Sequence, residues 1–225
     1  MERSIYLSPS SQERNIGAGN YGTEERRCNA VVDVVEPILK RYGFIVYRNK
    51  PTMSLTQIVN DSNSKKPDVH FAVHTNAFDK KTRGCEVYCH RYGGEGEKLA
   101  RAVYKEISAI TPTSDRGVKE GYKFYHGKPM YETCYTTAPA ALIEIIFHDN
   151  PDDAKWFIAN IEKIGIALVK GILNYFGLKF HEQTEKKPEY YRVVAGSYVN
   201  RENAENQVKR LKKDGFDSFI MKGCD

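Results

Sequence analysis

A chain of 225 residues is long enough for one well-buried domain and a small appendage at most. With 40% hydrophobic and 28% charged residues it has the balance of a soluble globular protein, and no apolar run reaches the roughly 18 residues of a membrane span. The formal net charge of +5 suits an anionic polymer but is too mild to point to nucleic acid.

The opening MERSIYLSPSSQ has no apolar stretch behind its positive charge, so it does not read as a secretory signal. Synthesis in the cytoplasm is expected, with release by other means if the protein works outside it. Ser4 to Leu7 predicts a short strand, followed by the Gly/Asn-rich loop NIGAGNYG. Thr23 is the expected N-cap of a helix with Glu24 and Glu25 in its first turn. That helix runs to about Tyr42, with Val31, Val34, Val35, Ile38 and Leu39 as its apolar face, and Gly43 ends it.

Phe44 to Arg48 reads as the next strand, 54–64 as a helix, VHFAVH (69–74) and GCEVYCH (84–90) as strands, and 96–110 as a helix. The five cysteines (Cys28, Cys85, Cys89, Cys134, Cys224) have no paired spacing. Cys85 and Cys89 share one face of an alternating strand, so they read as core thiols of a reducing compartment rather than as ligands. After a looser aromatic stretch, ALIEIIF (141–147) is apolar on both faces except for one carboxylate. Asp152 to Phe176 predicts one long helix with Trp156, Ile161, Ile164, Leu168 and Ile172 on its buried side.

This alternation predicts an α/β fold over residues 1–180, a mostly parallel or mixed sheet with helices on both faces. HEQTEKKPE (181–189) has no large apolar residue and reads as a linker. Residues 190–225 then carry a small β-α-β unit, with Asn200 as helix cap and Gly215 as stop. A unit that small has a poor core on its own and needs a partner.

Four positions carry chemistry. His74 ends a predicted strand and is followed by Thr75, Asn76 and Ala77, and parallel sheets place their sites at the carboxyl ends of strands. Glu25 lies in the first turn of the first helix, where it and Glu24 equally suit the helix dipole. Glu144 interrupts an apolar strand, and an unpaired buried carboxylate costs several kcal/mol, so it needs either an ion-pair partner or a chemical role. His148, four residues on, suits either loop surface or a place beside the site.

The blocks IYLSPSSQ, IGAGNYGTEE, DVHFAVHTNA, GCEVY, DRGVK and PAALIEIIFHDN resemble, in order and spacing over residues 4–176, the zinc-dependent N-acetylmuramoyl-L-alanine amidases of the Amidase_3 family. The resemblance implies a peptidoglycan hydrolase that cleaves the amide between N-acetylmuramic acid and the L-alanine of the stem peptide. It implies zinc held by a His on the first loop, a Glu opening the first helix and the strand-end His, with a later Glu as acid/base group. Carried over, His74 is the strand-end ligand. Glu25 is the helix ligand, chosen over Glu24 because Asn29 follows it by four. Glu144 is the catalytic carboxylate, and Asn76 is a candidate to hold the substrate carbonyl.

The first loop departs from the family's PGHGG. It reads PSSQE, with no His before residue 70. Gln12 is placed in the ligand position, with Ser10, Ser11 and His148 as alternatives. His70 is excluded, because four residues along a strand put it about 13 Å from His74. The departure keeps open a second reading, a wall-binding or regulatory protein weakened in catalysis. Residues 190–222, from YYRVVAGSYVNRENAE to FIMK, resemble one repeat of a SPOR domain, a peptidoglycan-binding module that normally holds two. A homodimer completing the module through 190–222 is the expectation that follows.

Overall fold

The computed structural model describes residues 2–113, 116–124, 127–181 and 194–220. The chain divides into two compact units, Met1–His181 and Glu182–Asp225.

The first unit is built on a six-stranded mixed sheet. In chain order its strands are β1 (Arg3–Pro9), β2 (Phe44–Arg48), β3 (Val69–Asn76), β4 (Glu86–Cys89), β5 (Val118–Glu120) and β6 (Ala140–Phe147), arranged β2-β1-β3-β6-β4-β5. The run from β2 to β6 is parallel, β4 lies antiparallel to β6, and β5 is parallel to β4.

Alternation along each strand splits the side chains between two unlike faces. One face presents Ile5, Leu7, Val69, Phe71, Val73, Val87, Ala141, Ile143 and Ile145 to the main core. Helices α1 (Glu24–Arg41), α3 (Glu95–Ser108), α5 (Pro151–Ala159) and α6 (Ile161–Tyr175) cover it. Helix α1 starts where its sequence says it should: Thr23 caps it by accepting from the Arg26 N–H, and Glu24 and Glu25 fill the first turn. The expected single helix after residue 151 is two. Asn160, at φ −127°, ends α5 and begins α6, its side-chain amide donating to the Trp156 carbonyl.

The opposite face has only a four-residue apolar cluster, Ala72, Tyr88, Met130 and Leu142. It is partnered by α2 (Leu55–Lys65), closed at its N-terminus by a Ser54–Gln57 capping box, and by the short α4 (Tyr131–Tyr135). Here lie Tyr6, His70, His74, Glu86 and Glu144. The looser stretch of the sequence reading contains β5 and α4. Low local propensity had hidden them, and packing against β4 and β6 decides them.

In the second unit the described residues carry α7 (Arg201–Lys213), capped by Asn200 and followed by Gly215 in the left-handed region at φ 87°. None of its residues is buried. No strand is assigned among described residues 194–200 and 214–220. The remainder of the two expected strands, 190–193 and 221–223, and nearly all of the 181–189 linker lie outside the described residues.

Candidate active site

The site forms where β3 and β6 run side by side. His74 and Glu144 are register partners on these parallel strands, and Glu86 of β4 pairs with Glu144 from the other side. Register partners point to the same face, so one imidazole and two carboxylates stand in a row across neighbouring strands about 4.8 Å apart. Just beyond, the register slips: Asn76 pairs with Phe147. This irregularity turns both Ile145 and Ile146 into the main core, and bulges of this kind re-aim side chains next to active sites.

His74 is held from both ring nitrogens. Nδ1 lies 2.8 Å from Glu24 Oε1, and Nε2 lies 3.4 Å from Glu132 Oε1. Glu24 Oε2 accepts from the Asn15 amide at 2.6 Å. Burial works against the Glu24 carboxylate, but bonds from His74, Ser10 and Asn15 outweigh it and hold its pKa below the usual range. Burial also disfavours a charged His74, yet Glu132 and Glu24 together hold its pKa well above that of an ordinary histidine.

Glu144 is the contrasting group. Its Oε2 is buried and has no hydrogen-bond partner among the described residues. Burial, opposed by His74 and reinforced by Glu24 and Glu86, pushes its pKa up to about 8. Glu86 has no such freedom. Arg116, Lys119, Asn76 and Tyr88 all donate to it.

The geometry brings neither Glu25 nor Gln12 into hydrogen-bond contact with His74 among the described residues. The helix carboxylate that meets His74 is Glu24, which is buried, and not Glu25, which is half exposed. The reason is helical phase. Glu24, Cys28, Val31, Val32 and Val35 share the buried face of α1, and Glu25 is turned about 100° away. The Asn29 that favoured Glu25 donates to the Glu25 backbone carbonyl, and its side-chain oxygen accepts from Arg48.

Gln12 is exposed, and the partners of the His74 ring nitrogens are Glu24 and Glu132. The Gln12 backbone N–H donates to Ser10 Oγ, and Ser10, like Asn15 further along the same loop, reaches Glu24 through its side chain. The alternative, His148, is buried but turned elsewhere. Its Nδ1 faces Thr75 at 2.9 Å and its Nε2 faces Asn15 at 3.0 Å, one residue short of Glu24. Asn76 spends its amide on Glu86 and its carbonyl oxygen on the Ala77 N–H.

The residue the sequence reading missed is Glu132. It is buried, and its Oε2 lies 2.8 Å from His70 Nε2, while His70 Nδ1 meets Ser62 at 2.9 Å. Against the cost of burial, the two histidines hold its pKa far below the ordinary carboxylate range. A signal was present: His70 and His74 lie four apart on one strand, hence on one face, and buried imidazoles need partners.

As a metal site the arrangement fits in part. Glu24 and His74 offer a carboxylate oxygen and an imidazole nitrogen that face each other, with the orphan Glu144 beside them. Among the described residues no group of three or more His, Cys, Asp or Glu side chains forms a metal-holding cluster, whereas catalytic zinc usually has three protein ligands.

Fold and site together describe an α/β domain with an acid–imidazole cluster near the carboxyl ends of parallel strands, a hydrolytic layout. The N-acetylmuramoyl-L-alanine amidase family matches residues 5–174, and the chain belongs to that family. The N-acetylmuramoyl-L-alanine amidase CwlM of Bacillus licheniformis is 24% identical over 96% of this chain and 84% of its own length. An uncharacterized cell wall amidase of Bacillus anthracis is 27% identical over 59% of this chain, a match spanning only 26% of that protein. The catalytic domain of the amidase CwlV from Paenibacillus polymyxa shares the fold, with a TM-score of 0.70 at 20% identity over 79% of this chain and 99% of that one.

A SPOR domain match covers residues 147–222, longer than the repeat read from the sequence. Its first part, through α5 and α6, belongs to the core of the first unit.

Proposed function

We propose that the first unit exercises the activity of its family, hydrolysing the amide between N-acetylmuramic acid and L-alanine in peptidoglycan, with Glu144 as the acid/base group. The observation that supports this is the buried, unpartnered Oε2 of Glu144 beside His74 and Glu24. A structural carboxylate in that position would be paired, as Glu86 is. One left unpaired, with a pKa near 8, is poised to take a proton from water and return it near neutral pH. Amide nitrogen leaves poorly unless protonated, so one carboxyl group serves both transfers.

Zinc belongs to this proposal. Glu24 and His74 would hold it, with Ser10 nearby, and a bound zinc would polarise the scissile carbonyl and acidify a water. Two strong ligands imply weaker binding than the usual three. We further propose that residues 182–225 bind glycan, either as a half module or paired with a second copy, which sedimentation of the full chain would distinguish.

Digestion of purified walls tests the activity. New L-alanine amino termini should appear with the wild type and be nearly absent with Glu144→Gln. If the wild type releases none yet sediments with walls, the second reading stands, a wall-binding protein on an amidase scaffold. The exposed Gln12 on a loop without imidazole is the observation that favours it.

A further inference from the structure

The hydrogen-bond chain behind His74 has no part in the chemistry described so far. From outside inward it runs Ser62 Oγ, His70 Nδ1, His70 Nε2, Glu132 Oε2, Glu132 Oε1, His74 Nε2, with steps of 2.9, 2.8 and 3.4 Å. His70 and Glu132 are wholly or almost wholly buried, and His70 also stacks on Tyr6 at 5.3 Å between ring centroids. Tyr6 is tied in turn to Asp61 at 2.9 Å. Strands β1 and β3 and helices α2 and α4 all contribute to fixing the position of one carboxylate.

The tautomers follow from the partners. A carboxylate only accepts, so both histidines present an N–H at Nε2 to Glu132. His70 Nδ1 is then free to accept from the Ser62 hydroxyl. His74 Nδ1, on the other side of its ring, faces Glu24 Oε1 at 2.8 Å. Two acceptors at that distance need a cation between them, either a proton or a metal ion. Carboxylates that bind the far nitrogen of a metal-ligating imidazole fix its tautomer and raise its basicity.

We propose that Glu132, anchored by His70 and Ser62, is a positioning residue for His74, holding it in the Nε2–H tautomer with Nδ1 presented to a metal ion shared with Glu24. The assignment rests on the zinc reading above. It gives the buried His70–Glu132 pair a task, and it supplies a compensation for the poor ligand count. A site with two strong ligands depends more on each of them being oriented in advance.

The test is zinc affinity of the purified full chain, measured by calorimetry or competition with a chromophoric chelator, alongside thermal unfolding. Glu132→Gln should weaken zinc binding by roughly 10–100-fold. Glu132→Gln leaves the buried His70 without its carboxylate partner, so the double variant His70→Leu/Glu132→Leu replaces the buried polar pair with apolar groups of similar bulk, a change often tolerated by folds. It should stay folded and show the same loss of affinity. Nitrogen-15 spectra of the zinc-loaded wild type should show His74 protonated at Nε2 with the metal on Nδ1, and a metal on Nε2 instead would overturn the assignment. Folded variants that bind zinc as tightly as wild type would overturn the role of Glu132 and leave the zinc reading standing. A wild type that binds no zinc, while still releasing L-alanine termini, would overturn the zinc reading and this assignment with it.

Discussion

The two faces of the central sheet are made from alternating residues of the same strands, yet they follow different rules. On one face Val69, Phe71, Val73, Ile143 and Ile145 meet four helices, and every one is fully buried among carbon. On the other, the intervening His70, His74 and Glu144 meet two short helices, and burial there is polar. The first face is held by area, at about 25 cal/mol per Å² of apolar surface removed from water. The second is held by partners, and each buried polar group left without one costs about 1–3 kcal/mol. Adjacent residues therefore serve separate ends. Ile143 packs into the core, and Glu144, next along the chain, keeps a buried Oε2 without a hydrogen-bond partner among the described residues.

The sharpest way to break this comparison is at that pair. Glu144→Gln should lower turnover on muropeptides by roughly 100- to 10,000-fold, while unfolding temperature stays near that of the wild type, because one buried polar group of the same shape replaces another. Ile143→Ala should do the reverse, destabilising the fold by about 2–5 kcal/mol with near-normal turnover per folded molecule. Chemical denaturation and rates on soluble muropeptides, measured on both variants, decide it. Equal losses of stability from the two would mean that the faces do not divide the work.

Helix phase offers a second discrimination of nearly the same size. Glu24→Gln removes the carboxylate facing His74 and should lower both activity and zinc affinity by at least about 10-fold, while Glu25→Gln should change neither appreciably. An effect confined to Glu25 would restore the assignment drawn from spacing to Asn29.

That contrast also marks what the sequence could tell. The covered face was legible almost residue by residue, because an apolar strand or helix stripe announces itself by its period. The strands FIVYR and VHFAVH and the α1 stripe were found this way. His74 and Glu144 stood out because each breaks such a pattern, and the structure places them side by side on neighbouring strands. Glu24 and Glu25 were not separable by type, since both suit a helix N-terminus and only the phase of the buried face distinguishes them. Glu132 was hidden because it sits in a five-residue helix with no period to read, and its meaning depends on histidines 62 and 58 positions away, His70 and His74.

On the apolar face, packing between helices depends on small residues. A Cβ on Gly171 of α6 would overlap the backbone of Val103 on α3, where a backbone atom cannot step aside as a side-chain tip can. Gly171→Ala should therefore cost about 1–3 kcal/mol, despite the better helix propensity of alanine, and should leave the turnover of folded protein unchanged. A stabilised variant would show that α3 and α6 separate more easily than their fit suggests.

The smallest predicted effect concerns how the polar face neutralises itself. Burial opposes the charge on Glu86, but Lys119, Arg116 and Tyr88 outweigh it, and its pKa lies below the ordinary carboxylate range. A depressed folded-state pKa means that the unfolded chain takes up a proton first as the pH falls. The stabilisation is thus fully present above the unfolded value of about 4.3 and is lost as the pH drops through the folded value. Because Arg116 and Lys119 are each about one-third exposed, at 33% and 38%, solvent screens part of the attraction, and about 1 kcal/mol is a fair size for what Lys119 contributes. Lys119→Met keeps the bulk and removes one of the two cations, so Glu86 should titrate closer to its ordinary value. Melting temperatures of wild type and variant should differ most near neutral pH and converge toward pH 3. Two curves that run parallel across this range would show that Lys119 is solvated and that Arg116 alone holds the charge on Glu86.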